Sequence, residues 1–180
     1  AEPPVPVASL TRTATYVPET GFAHSVTVQG TMMDSKALAT CGRLQSDGRS
    51  GCWIIAPVGD ERSAITVVLG FVEPGAVSSE LAQLRAKAPS MVDVTGRLQP
   101  GEVIAPPGAV LKPSTSVANI NVNELAMRWG VDLLDGYVVA EVPMVGAAVT
   151  APLVLPPSGI TLRNLFYAWQ WWAFAAFVVF

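Results

Sequence analysis

The sequence predicts an α+β fold: a mainly antiparallel β domain with two short helices, followed by a C-terminal transmembrane helix cut at residue 180. Three observations carry that prediction. Valine-rich alternation recurs between residues 24 and 142, punctuated by Gly and Pro. Only two stretches, 79–87 and 121–129, combine helix formers with end signals. From Leu165 to Phe180 the chain carries one polar side chain, Gln170, and no charge. The expected division is a β-rich domain over 1–160 and the start of a membrane helix over 161–180.

The first predicted strand is His24-Ser25-Val26-Thr27-Val28-Gln29. Lys36–Leu44 and Cys52–Ile55 flank Ser46-Asp47-Gly48-Arg49, and Asp-Gly supplies the positive φ of a tight hairpin. Ala64–Val72 is almost continuously apolar, as a central strand covered on both faces would be, and Pro74-Gly75 ends it. Ser79–Lys87 reads as a helix with an acidic start and a basic end, favourable for its dipole. Met91–Leu98 alternates again and echoes the first strand as Val-x-Val-x-Gly. Gly30 and Gly96 sit at matching points, where a strand bends or a neighbour comes close. Residues 99–113 are rich in Pro and Gly and read as a loop. Asn121 with Glu124 three residues on opens a second helix, which Gly130 closes. Gly136–Val142 is a last strand stopped by Pro143, and 143–159 reads as a linker to the membrane.

The terminal run of 165–180 would span roughly 24 Å as a helix, short of the ~30 Å hydrocarbon core, so the helix is expected to continue past Phe180. Tyr167, Trp169, Trp171 and Trp172 suit the headgroup boundary, just after Arg163 and Asn164. At 100° per residue Phe166, Trp169, Ala173 and Ala176 share one face, with Gln170 beside them. That face is a candidate for a partner helix, because small Ala residues permit close approach and lipid cannot satisfy the Gln170 amide. The alternative is an anchor with no preferred face.

Composition excludes several classes. The 180 residues are 51% hydrophobic and 14% charged, where an ordinary soluble domain carries about a quarter charged residues. Net charge is −3 and the eleven Lys and Arg are scattered, so nucleic acid is not an expected partner. The chain opens Ala1-Glu2-Pro3-Pro4 without Met, which suggests a removed leader or a fragment of a longer chain. A lone imidazole, His24, cannot build a metal site by itself. Asp60-Glu61 and Asp132/Asp135 adjoin turn residues and read as solvated loop acids, so no catalytic, cofactor or metal residue is assigned and no enzyme is expected. Cys41 and Cys52 fall on opposite strands of the predicted hairpin, nearly facing, and are expected to form a disulfide; two free buried thiols are the alternative.

Taken in order, these segments resemble the surfeit locus protein 1 family, the Surf-one and Shy-one cytochrome c oxidase assembly factors. Val26-Thr27-Val28-Gln29-Gly30 is similar to the family's first strand, and Gly51-Cys52-Trp53-Ile54-Ile55-Ala56-Pro57 to its G-x-x-V-x-T-P strand. Leu69-Gly70-Phe71-Val72-Glu73-Pro74 falls where the family has R-G-W-V-P. Val94-Thr95-Gly96-Arg97-Leu98 resembles a later V-x-G-x-L, and Asp135–Val139 a segment of actinobacterial members. Leu162–Trp172 resembles the start of the family's second transmembrane helix.

The resemblance implies two transmembrane helices, the first preceding Ala1, with a β-rich domain between them on the outer face of a bacterial cell membrane. It implies oxidase maturation, with oxidase subunits or a respiratory supercomplex as partners, membrane lipid around the anchor and, in some members, haem a as cofactor. Two departures stand out. Arg and Trp of the family's Arg-Gly-Trp are Leu69 and Phe71 here. Where many members carry a His three positions before the helix Tyr, this chain has Asn164, which cannot replace imidazole as an iron ligand. Three functions remain open: a transient assembly factor, a bound accessory subunit, or a membrane-tethered peptide- or lipid-binding module unrelated to respiration.

Overall fold

In the computed structural model the described residues are 3–11, 24–60, 62–103 and 114–150, with 169–170 and 174 in the terminal segment. Their strands are β1 (Val5–Pro6), β2 (Ser25–Met32), β3 (Leu38–Leu44), β4 (Ser50–Asp60), β5 (Ser63–Val72), β6 (Ser90–Gln99), β7 (Ser116–Val117) and β8 (Leu133–Ala140). Two short helices, α1 (Val77–Arg85) and α2 (Val122–Trp129), complete a mostly β architecture. The strands form one sheet in the order β1-β2-β6-β8-β5-β4-β3-β7, and a second pairing of β2 with β4 closes part of it on itself.

That closure depends on glycine. Gly30 lies where β2 reaches β4, and a Cβ there would stand 2.7 Å from the Cα of Gly59. At Gly96 a Cβ would meet the carbonyl oxygen of Val139 at 2.4 Å. The two echoing strands are therefore neighbours, paired antiparallel from Ser25↔Arg97 to Met32↔Ser90, and each glycine admits a close backbone. The sheet is mixed: β1–β2, β3–β7 and β5–β8 are parallel and the other pairings antiparallel.

Two apolar clusters lie on opposite faces of β4 and β5. One gathers Val26, Val28, Ile54, Val67, Leu69, Val94, Leu98 and Val138, with Leu81 and Leu84 of α1. The other gathers Ile55, Val68, Phe71, Val117, Leu133 and Tyr137 under Leu125 and Trp129 of α2. This is why β5 is apolar without alternation: both faces are covered. Ile54 pairs with Gly70 but Ile55 with Val68, so Leu69 is an extra residue in β5. The bulge reverses the alternation beyond it and turns Phe71 into the second cluster.

α2 ends as its local sequence dictates. The Asn121 side chain accepts from the amides of Asn123 and Glu124, and Gly130 closes the helix at φ 62°.

Three expectations need correction. Lys36 belongs to a 3-10 turn (Asp34–Lys36), so the hairpin strand starts at Leu38, while its partner runs on to Asp60. The last strand starts at Leu133 and stops at Ala140, not 136–142, because Leu133 and Leu134 enter opposite clusters. Residues 144–147 are not a free linker. They succeed β8 beside β5: Met144 N–H donates to Leu69, and Phe71 and Ala147 exchange amide bonds of 2.8 Å. The Gln45 amide then grips the strap, donating to the Ala148 carbonyl and accepting from the Thr150 N–H, each at 2.8 Å.

No helix among the described residues is long and apolar enough to cross a membrane. Most of the predicted membrane helix, 161–168, 171–173 and 175–180, lies outside the described residues. Trp169, Gln170 and Phe174 are helical and exposed.

Candidate functional site

A guanidinium withdrawn from water needs compensation at every face. Arg43 follows a register shift in β3 after Cys41 and is buried. Its Nη1 and Nη2 donate to the two oxygens of Glu102 at 2.5 and 2.6 Å, and Nη2 also reaches Thr40 Oγ1 at 2.8 Å. The guanidinium stacks on the Trp53 ring, 4.4 Å from its centroid. Trp53 in turn leans on Tyr137, with centroids 6.4 Å apart.

Glu102 is fixed from the other side. Its N–H donates to the Ile120 carbonyl at 2.8 Å, and its Oε2 accepts from the Ile120 N–H at 2.8 Å. Asn119 Nδ2 adds a bond to the Glu102 carbonyl at 3.3 Å. The pair thus ties the loop after β6 and the turn before α2 onto β3. Burial, and then the neighbouring Glu102 carboxylate, push the Tyr137 phenol well above its ordinary range, with Arg43 opposing. Tyr137 therefore stays protonated and donates to Glu102. Two buried donors, Arg43 Nε and Trp53 Nε1, have no acceptor. The cluster can hold a loop and offer N–H donors.

A second polar locus lies where α1 meets the Asp34–Lys36 turn. Asp34 is buried and neither carboxylate oxygen has a hydrogen-bond partner. Burial raises its pKa, opposed by its own backbone amide and by the positive Lys87. Arg85 Nη2 donates to the Ala37 carbonyl at 2.8 Å, and Lys36 Nζ to the Trp129 carbonyl at 2.5 Å.

Of the residues the sequence singles out, Cys41 and Cys52 face each other in register with Cα atoms 4.0 Å apart and are joined as a disulfide. Trp169 and Gln170 are exposed, whereas Phe166, Ala173 and Ala176 lie outside the described residues, as does Asn164. Leu69 and Phe71, at the Arg and Trp positions of the family motif, are buried in opposite clusters, Leu69 as the bulge residue itself and Phe71 just beyond it. An arginine does reach this motif from elsewhere: Arg49 lies over the Phe71 ring at 5.8 Å. His24 stands just before β2, and its carbonyl accepts from Leu98. Among the described residues no group of His, Cys, Asp and Glu could hold a metal ion.

The sequence reading missed the Arg43–Glu102 pair, whose members lie 59 positions apart. A single Arg two residues after a strand cysteine, and a Glu inside a Pro/Gly-rich loop, carry no local signal of each other.

The model of the SURF1 family matches residues 1–176. No curated protein and no solved structure matches the chain.

Proposed function

Since the chain belongs to the SURF1 family, which is known for cytochrome c oxidase assembly, we propose that it is a non-catalytic accessory protein of that oxidase. The observation that carries this reading is the extent of the match, nearly end to end. The family is membrane-associated in general. In the proposal residues 161–180 form the anchor, the β domain lies on the outer face, and the contacts are with oxidase subunits or a respiratory supercomplex. The Cys41–Cys52 disulfide supports an oxidising compartment, where such bonds persist.

Two forms of this role differ in lifetime. A maturation factor leaves the finished enzyme; an accessory subunit stays. Asn164 in place of the haem-ligand His, and Leu69 and Phe71 in place of Arg and Trp, favour the accessory subunit. Purification of the oxidase in gentle detergent tests this. A stoichiometric band supports the subunit, and loss of oxidase on deletion without co-purification supports the factor. If deletion leaves the oxidase intact and nothing co-purifies, the chain is a membrane-tethered peptide- or lipid-binding module instead. Ala173→Leu with Ala176→Leu should release the protein from its partner while leaving it in the membrane. Full co-purification of that double variant would place the contact on the β domain.

A further inference from the structure

Strand β6 is paired unequally along its two edges. β2 covers it from Ser90 to Arg97, but β8 only from Gly96 to Gln99. In an antiparallel strand the N–H and C=O of alternate residues point to opposite edges. Leu98 donates to His24 on the β2 side, and the Thr95 carbonyl accepts from Glu141 on the β8 side. Met91 and Asp93 therefore aim their backbone groups at the β8 side, where β8 has already ended at Ala140.

The sequence supplies the reason. Extending the register that sets Gly96 against Ala140 would bring residue 143 opposite Asp93. Residue 143 is proline, which has no N–H to donate. The chain turns away and pairs with β5 through Met144 and Ala147 instead. Among the described residues a short open edge is left, flanked by two exposed apolar side chains, Met91 at 74% and Val142 at 77%. Two exposed carboxylates, Asp93 and Glu141, border it. Asp93 Oδ2 is engaged by Gln29 Nε2 at 2.8 Å, across the strand pair and away from the open side.

We infer that this edge accepts an extended segment of another protein as an added strand, and that the segment carries Lys or Arg opposite Asp93. Backbone pairing would supply attachment, and the two carboxylates the selection. A second copy of this chain fits worse. Two-fold pairing centred on Asp93 would set its carboxylate against itself, and like charges directly opposite are destabilising. A bare edge guarded by charge against any pairing is the competing account, and it predicts that no strand binds.

Residue-resolved amide exchange on the full chain in detergent micelles separates these. The probe is the peptide acetyl-Thr-Val-Lys-Val-Lys-Val-Thr-amide, with Glu-for-Lys and alternately N-methylated versions as comparisons. At saturation the Lys peptide should slow exchange at Met91 and Asp93 by roughly tenfold or more, and the other two should do little. Asp93→Lys, or Glu141→Lys if the first variant misfolds, should shift the preference toward the Glu peptide. The inference is overturned if no peptide slows these amides, or if the charge variants leave the preference unchanged. It is equally overturned if the slowing grows with protein concentration alone, which would assign the edge to a second copy.

Discussion

Removing the carboxylate of Glu102 should destabilise this protein far more than removing the guanidinium of Arg43, although the two form one ion pair. Glu102→Ala leaves Arg43, with a side chain only 8% exposed, holding a single acceptor, Thr40 Oγ1. It also strips the Ile120 amide of its partner. A buried charge left unpaired typically costs about 3–5 kcal/mol. Arg43→Met leaves Glu102 with the Ile120 amide and the Tyr137 hydroxyl, and its side chain is 20% exposed, so water can reach it. The loss should be about 1–2 kcal/mol, from one charge-assisted contact and the packing on Trp53. For a chain of this size each kcal/mol moves Tm by about 2–4 °C, so Glu102→Ala should lower it by roughly 6–20 °C. Urea unfolding followed by tryptophan fluorescence measures both, since the Trp53 ring contacts Arg43. The double variant Arg43→Met/Glu102→Leu should recover much of the loss, because an apolar replacement of the whole pair leaves no orphan charge. Equal costs for the two single variants, or a larger cost for Arg43→Met, would refute the reasoning.

Three further outcomes follow from the same structure. Replacing Cys41 and Cys52 by Ser opens a loop closed across eleven positions and should cost about 2–3 kcal/mol in the chain-entropy model, read as a lower urea midpoint. Asp34→Asn should raise Tm at neutral pH: the folded-state pKa of Asp34 lies above its unfolded value, so its contribution is most favourable below the unfolded pKa and is lost as pH rises through the folded pKa. The gain over wild type should therefore shrink as pH is lowered toward 4, and a gain independent of pH would count against a buried, partnerless carboxylate. Gly146→Ala should loosen the strap, because φ there is 59° and a Cβ would stand 2.2 Å from the Phe71 carbonyl oxygen; faster amide exchange at Phe71 and Ala147 would show it, and unchanged exchange would contradict it.

Sequence alone determined the features whose causes lie within a few residues. The cap of α2 is one, since Asn121 bonds amides two and three positions on and Gly130 supplies the left-handed closure. The β3–β4 hairpin is another: its turn is contiguous with both strands, so counting along them brings Cys41 within one position of Cys52, and the bulge between Cys41 and Arg43, which the sequence did not announce, completes the facing. The apolar run of β5 announced a strand covered on both faces, because burial on two sides removes alternation. The colinear order of these pieces was enough to indicate the family, because family resemblance rests on that order rather than on any single contact.

What only the tertiary structure decided involves groups far apart in the chain. The Arg43–Glu102 pair, the grip of Gln45 on Ala148 across 103 positions, and the partnerless burial of Asp34 depend on where separate loops come to rest. The start of β8 and the pairing of 144–147 with β5 were hidden for a related reason. Pro and Gly mark where a regular strand must stop, but not which neighbour an irregular segment then finds. Pro143 is the clearest case. In the sequence it ends a strand; in the fold it stands where the β8 register would meet Asp93, and among the described residues no strand pairs with β6 there, a consequence that exists only once β6 and β8 lie side by side.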